Sequence, residues 1–329
     1  MSLDHERAVA IDAVVKASRV CLAVQQRLVA GTTLEKGDKS PVTVADFGAQ
    51  AIVSHLLADA FPAVPLVGEE DAAALREPSN AALKDKVCAA VRAVLPELSD
   101  AAILDAIDRG TYGGGGSGRH WTLDPIDGTK GFLRLDQYAV ALALIDDGEV
   151  VLGVLGCPNL PVSAADADGP RGCIFVGVQG EGAFQRTLDD ATETAIRVTD
   201  IADPSQASFC ESVEKAHSSH GHSAQIADRL GITVPPFRID SQCKYAAVAR
   251  GDASIYLRLP TRPGYVEKIW DHAGGWRVIV EAGGKVTDVT GAPLDFGLGR
   301  GLANNRGVIV TNGHVHDAVL EAVAAVLDG

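Results

Sequence analysis

No apolar run in these 329 residues reaches membrane-spanning length, since a transmembrane helix needs about 20 such residues. The longest candidate, residues 138–145, reads as a strand. A signal core is missing too, because Asp4, Glu6 and Arg7 give the N-terminus an amphipathic pattern. A soluble, cytoplasmic protein is expected, with an organelle not excluded. Positive charge is scarce. The chain has 29 basic and 43 acidic residues, a net charge of −14. That balance argues against a surface for nucleic-acid polymers. A small anionic substrate stays open, because bound metal ions reverse the local field of an acid cluster. The six cysteines (Cys21, Cys88, Cys157, Cys173, Cys210 and Cys243) form no C-x-x-C pair and sit in apolar patterns. They are expected to be buried, reduced thiols. There is no internal repeat. There is no P-loop, since Gly118 is followed by Arg119 and His120.

What is present is globular, with an apolar fraction of 47% and a mean hydropathy of +0.11. Helical spacing predicts a long helix over residues 3–29 and another over 45–60. Between them, residues 36–43 read as a polar loop turning into an extended segment. A short strand at 65–67 delivers Gly68-Glu69-Glu70. Residues 80–109 read as helical, and a strand follows at 120–123. The β-rich runs 138–146 and 149–155 are joined by Asp147-Gly148, a strong hairpin signal. Further on, short strands alternate with helices near 222–230, 242–250, 271–281 and 314–327. The order suggests an α+β first half and an α/β second half. The break is expected near residue 157, giving units 1–157 and 158–329.

The richest stretch is Asp124-Pro125-Ile126-Asp127-Gly128-Thr129. It places two carboxylates, a hydroxyl and a glycine together. A helix starting after Asp127 would aim the amides of Gly128 and Thr129 at a phosphate. Asp271, in Trp270-Asp271-His272-Ala273-Gly274-Gly275, adds a distant acid, and Glu69-Glu70 add more upstream. Mg²⁺ takes a few carboxylates plus water and phosphate oxygens. Acids gathered from three segments therefore suit two-metal hydrolysis of a phosphoester. Each motif also has a plainer reading: an Asp-Pro turn, surface glutamates, and an N-capping aspartate at 271. Glycines 113, 115 and 118 match G-x-G-x-x-G, but they precede a strand, so a loop over the site is preferred to a dinucleotide fingerprint. The histidines at 217, 220 and 222 lack cysteines at finger spacing, and a substrate-contacting loop is preferred to zinc. Ser241 and Lys244, one helical turn apart at the start of a helix, could grip an anion together.

Together these segments resemble the lithium-sensitive, magnesium-dependent phosphatase superfamily that includes inositol monophosphatase and fructose-1,6-bisphosphatase. Within it the chain is similar to the 3′(2′),5′-bisphosphate nucleotidases of the yeast and plant type. Diagnostic runs include Gly131-Phe132-Leu133-Arg134, Asp240-Ser241-Gln242-Cys243-Lys244-Tyr245 and Glu267-Lys268-Ile269-Trp270-Asp271. The resemblance covers residues 3–320. It departs at Gly274, where the family usually has Ala, a change expected to loosen helix packing slightly. The resemblance implies a layered αβαβα sandwich of α/β (α+β) class with the site between two subdomains. It implies two or more Mg²⁺ ions held by Glu69, Asp124, the Ile126 carbonyl, Asp127 and Asp271. Asp46 and Thr129 would polarise the attacking water, and Gly128 and Thr129 would seat the phosphate. His217 would lie near an adenine, and Ser241, Lys244 and Arg258 near the sugar and the retained phosphate. The implied partner is a small nucleotide, 3′-phosphoadenosine 5′-phosphate or its phosphosulfate analogue, acted on by a monomer. An inositol polyphosphate 1-phosphatase and a non-catalytic nucleotide sensor are the alternatives.

Overall fold

The computed structural model describes residues 2–29, 40–213, 220–260, 262 and 264–327. In chain order the helices and strands begin with α1 (Asp4–Val29), α2 (Ser40–Ala60), β1 (Leu66–Gly68), α3 (Ala73–Arg76), α4 (Ala81–Arg92) and α5 (Asp100–Asp108). They continue with β2 (Arg119–Asp127), α6 (Thr129–Arg134), β3 (Ala139–Asp146), β4 (Glu149–Pro161), β5 (Arg171–Val178), β6 (Gly182–Thr187) and β7 (Thr194–Ile196). The remainder is β8 (Phe209–Glu211), α7 (His220–Leu230), β9 (Phe237–Arg238), α8 (Cys243–Ala249), β10 (Ile255–Arg258), α9 (Ala273–Glu281), β11 (Lys285–Thr287), β12 (Val308–Thr311) and α10 (His316–Leu327).

Local chemistry accounts for several of these boundaries. Asp4 and Glu6 lie in the first turn of α1 and Arg27 in its last, complementing the helix dipole. Ser99 caps α5 by accepting a hydrogen bond from the Ala102 amide. Helix α2 starts at Ser40, earlier than expected, so residues 40–43 are helical rather than extended. Pro41 suits a first turn, where no intrahelical partner exists for its missing N–H. The hairpin expected at Asp147-Gly148 forms, with φ of 50° and 84° at those two residues, the left-handed pair a two-residue turn demands.

Among the described residues the strands form two sheets. One has seven strands in the order β1-β2-β3-β4-β5-β6-β7, and the other five in the order β11-β12-β10-β8-β9. The break expected near residue 157 falls inside β4. The first sheet continues to Ile196, and the second opens only at Phe209.

Strand residues are buried on both faces, which builds alternating layers. On β3, Val140, Leu142 and Leu144 face a core shared with α1, α2, α4 and α5. Their neighbours Ala139, Ala141, Ala143 and Ile145 face a second core with α8, α9 and the strands of the other sheet. Ile255, Leu257 and Ile309 of that sheet turn the opposite way, toward α7 and α10. The result is helix, sheet, helix, sheet, helix. The period-two alternation of a strand distributes the side chains between the cores. At Gly274 a methyl would lie 3.1 Å from Leu155 Cδ2, so the glycine permits close packing of α9 rather than loosening it. All six cysteines are buried and free. Among the described residues, no helix is long and apolar enough to cross a membrane.

Candidate active site

Strand β2 carries the acidic run. It was expected over residues 120–123, but it runs from Arg119 to Asp127. In a regular strand, residues three apart point to opposite faces. Here Asp124 pairs with Ala141 and Asp127 with Ala139, with a register shift between them. Ala139 and Ala141 share one face of β3. An extra residue in β2 therefore turns both carboxylates to the same side, as a β-bulge does. Pro125, which has no N–H to offer a ladder, sits in that bulge. Gly128 ends the strand at φ 92°, and a Cβ there would meet Ser241 Cβ at 2.9 Å. Helix α6 starts at Thr129, as the phosphate-seat reading requires.

Two further segments deliver acids. Glu69 follows the last residue of β1. Its loop is held by the fully buried Gln50, which donates to Glu70 O (2.5 Å) and Ile107 O (2.8 Å) and accepts from the Glu70 amide (3.0 Å). Asp271 ends a 3₁₀ turn, Ile269–Asp271, just before α9. The residue at the cap of α9 is His272, so Asp271 is not its N-cap. Gln242 ties the strand to this turn. Its amide donates to Asp127 Oδ2 (2.6 Å), and its side chain donates to Trp270 O (2.9 Å) and accepts from the Gly275 amide (3.0 Å).

Glu69, Asp124, Ile126, Asp127, Gly128, Thr129, Ser241, Lys244, Arg258 and Asp271 all line one cavity of 430 Å³. Asp46 of α2 lies behind this lining, within electrostatic reach of Glu69 and Glu70. Thr129 is exposed. Among the described residues no hydrogen bond joins Thr129 to Asp46. His217 lies outside the described residues.

The acids crowd one another. Burial first, then the charges of Glu69, Asp127 and Asp271, push the Asp124 carboxyl well above its ordinary range. Burial, then Asp271, Glu70 and Asp127, raise Glu69 to about 7. Burial raises Asp271 to about 6 although Arg258 opposes the shift. Burial, Glu70 and Glu69 push Asp46 well up. This hard-oxygen donor set fits Mg²⁺. Glu267, Asp271 and His272 also bring ligand atoms within 4.8 Å of one another, but Glu267 and His272 have other commitments. Glu267 pairs with Arg258 at 2.8 Å and with His272 at 3.3 Å, and the other ring nitrogen of His272 meets Tyr245 Oη at 2.8 Å. Burial alone would raise the Glu267 carboxyl, but the His272 hydrogen bond and the Arg258 charge outweigh it and hold it at about 2.

This crowding has a measurable consequence. With carboxyl pKa values raised in the folded state, the native chain holds more protons than the unfolded one between about pH 4 and about pH 7. Stability contributed by those protons is lost as pH rises through that window. In chelator, the thermal midpoint is expected to fall from about pH 5 to about pH 8, and added Mg²⁺ to raise it more at the higher pH. A midpoint that stays flat with chelator present would contradict the crowded-acid geometry.

The three residues expected to grip the second phosphate differ. Lys244 is 4% exposed. Its Nζ lies 5.1 Å from the centroid of the Tyr256 ring, and among the described residues it makes no ion pair with a carboxylate. Burial lowers its pKa, while Asp127 and Asp240 resist. Ser241 precedes α8 rather than starting it, at φ 63°. Its hydroxyl donates to Asp240 O (2.6 Å) and accepts from the Cys243 amide (3.2 Å), which leaves it committed locally. Arg258 is paired with Glu267 and, at 3.3 Å, with Asp271. Its guanidinium orients acids of the site.

With this fold and this acid-lined cavity in view, the chain belongs to the inositol monophosphatase family, whose model matches residues 2–327. Solved structures share the layered αβαβα fold. An inositol monophosphatase from Anabaena superposes with a TM-score of 0.64 at 20% identity, covering 99% of this chain and 97% of that one. An IMPase from Thermotoga maritima gives 0.62 at 21% identity, covering 97% and 96%. Curated relatives are more alike in sequence. A 3′(2′),5′-bisphosphate nucleotidase of Schizosaccharomyces pombe is 47% identical over 343 residues, covering 99% of this chain and 97% of the relative. A 3′(2′),5′-bisphosphate nucleotidase 1 of Arabidopsis thaliana is 46% identical over 341 residues, covering 98% and 96%.

Proposed function

We propose that the chain is a Mg²⁺-dependent bisphosphate nucleotidase. In this reading it removes the 3′-phosphate of 3′-phosphoadenosine 5′-phosphate, giving AMP and phosphate, and accepts the phosphosulfate analogue as a second substrate. The full-length similarity to bisphosphate nucleotidases supports the substrate class. The observation that carries the reading is the pairing, in one cavity, of convergent acids with the buried Lys244 ammonium. The acids would hold metal, and the ammonium, which among the described residues pairs with no carboxylate, would hold an anion.

Glu69, Asp124, Asp127, Asp271 and the Ile126 carbonyl would hold the ions, which supply Lewis acidity and neutralise charge on the leaving oxygen. The amides of Gly128 and Thr129 seat the phosphate being removed. Thr129 Oγ1 orients the attacking water, and Asp46 accepts its proton. Lys244 holds the 5′-phosphate that is retained, with Ser241 and Arg258 shaping the pocket around the sugar. His217 contacts the adenine.

The test is a phosphate-release panel, with and without Mg²⁺, over 3′-phosphoadenosine 5′-phosphate, inositol 1,4-bisphosphate, inositol 1-phosphate and fructose 1,6-bisphosphate. Preference for an inositol phosphate overturns the substrate assignment, and full activity in chelator overturns the metal. Lys244→Met sharpens it, because an unbranched side chain of similar length is kept and the charge is removed. A charge-assisted contact is worth about 1.5–3 kcal/mol, so kcat/KM for 3′-phosphoadenosine 5′-phosphate is expected to fall about 10- to 100-fold. With 3′-AMP, which lacks the 5′-phosphate, the loss is expected to be small. Equal losses on both would place Lys244 elsewhere in the chemistry. Arg258→Ala is expected to impair both substrates alike, since its partner Asp271 serves both.

A further inference from the structure

Arg300 is not part of the cavity lining, yet it touches both segments that bring acids to it from opposite sides. Its Nη2 donates to Gly68 O at 2.6 Å, and its Nη1 donates to Gly110 O and Tyr112 O at 3.0 Å each. Gly68 immediately precedes Glu69. The guanidinium carbon lies 4.8 Å from the centroid of the Trp270 ring, and Trp270 immediately precedes Asp271. The backbone around Arg300 is fastened to the same turn. The Ile269 amide donates to Arg300 O at 3.2 Å, the Leu302 amide to Glu267 O at 2.9 Å, and Lys268 and Gly301 form a β-bridge. One side chain thus spans the gap from the edge strand β1 to the turn that heads α9.

Glu69 and Asp271 are like charges facing one cavity and repel each other, a repulsion that Arg258, 3.3 Å from Asp271, only partly offsets. Strand β1 is only three residues long and lies at the sheet's edge, so it resists displacement weakly. Mg²⁺ demands near-ideal octahedral geometry at about 2.0–2.1 Å. Small errors in the spacing of two carboxylates therefore matter.

We propose that Arg300 is a positioning residue which fixes the spacing of Glu69 and Asp271 and thereby sets the affinity of the centre for its divalent cation. This rests on the metal reading of the site above. The planar fork serves three carbonyls while its face stacks on an indole. A lysine ammonium offers neither the fork nor the face.

The test is Mn²⁺ binding to the substrate-free protein by titration calorimetry, alongside activity as a function of Mg²⁺. Groups that orient metal ligands typically contribute about 10- to 100-fold in affinity. Arg300→Lys is expected to weaken Mn²⁺ binding by about that factor and to raise the Mg²⁺ needed for half-maximal rate in proportion. At saturating Mg²⁺ its kcat should recover. Arg300→Ala should behave likewise and regain affinity when guanidinium ion is added. Circular dichroism checks folding, and if Arg300→Ala does not fold, Arg300→Lys decides alone. Unchanged Mn²⁺ affinity in Arg300→Lys overturns the inference and leaves the metal reading standing. A lower kcat at saturating Mg²⁺ with unchanged affinity also overturns it. Failure of the wild-type protein to bind Mn²⁺ overturns both.

Discussion

Replacing Asp127 by Asn is expected to cut kcat/KM for 3′-phosphoadenosine 5′-phosphate by about a thousand-fold, the equivalent of about 4 kcal/mol of transition-state stabilisation. The same change should leave the fold intact. Asp127 is half-buried and accepts a hydrogen bond from the Gln242 amide, which an amide oxygen can still accept. In chelator the variant should be at least as stable as the wild type. The Asp127 charge raises the carboxyl pKa of Glu69, Asp124 and Asp271, so removing it relieves repulsion that only a cation would otherwise offset. Activity and metal-free stability are therefore expected to move in opposite directions. Phosphate release at saturating Mg²⁺ and thermal midpoints in chelator measure the two. A variant that keeps its activity, or that unfolds in chelator, would contradict the assignment.

Much of this centre could be read from the sequence because its chemistry is concentrated in short runs. The acidic run at 124–129, the acid after a short strand at 69, and Asp271 all reach the cavity. The path of β2 was less legible. A proline argues against a continuing strand, and only the pairing with β3 reveals the bulge that realigns Asp124 and Asp127. The expected break near 157 has a similar origin. The polar residues 162–170 that follow only connect β4 to β5 within one sheet, closed by the Val162 amide donating to Pro170 O at 2.8 Å. Hairpin loops and linkers share a composition. Arg258 was expected near the sugar and the retained phosphate, and its pairing with Glu267 and Asp271 was not legible because they become its neighbours only in the fold. Gln50 and Arg300 carried no signal, since they act largely on backbone groups, which leave no trace in residue type.

Asp46 and Thr129 provide a different test, because among the described residues no hydrogen bond joins them. Thr129 stands exposed at the start of α6, while Asp46 lies deeper on α2, its carboxyl pushed up by burial and by Glu70 and Glu69. Catalytic hydrogen bonds often tighten only when substrate is bound, so the relay is expected to assemble in the substrate complex. Thr129→Ala and Asp46→Asn should each lower kcat by about 10²-fold or more, the usual scale of general-base assistance, and change KM little. Two residues that pass one proton act as a unit. The double variant is then expected to be hardly worse than either single one, whereas independent effects would multiply. Steady-state kinetics on the four proteins of this cycle, at saturating Mg²⁺, give the coupling. Multiplying losses would separate the two residues, with Thr129 seating the phosphate and Asp46 tuning the neighbouring acids. Unchanged kcat in both single variants would remove the pair from the chemistry.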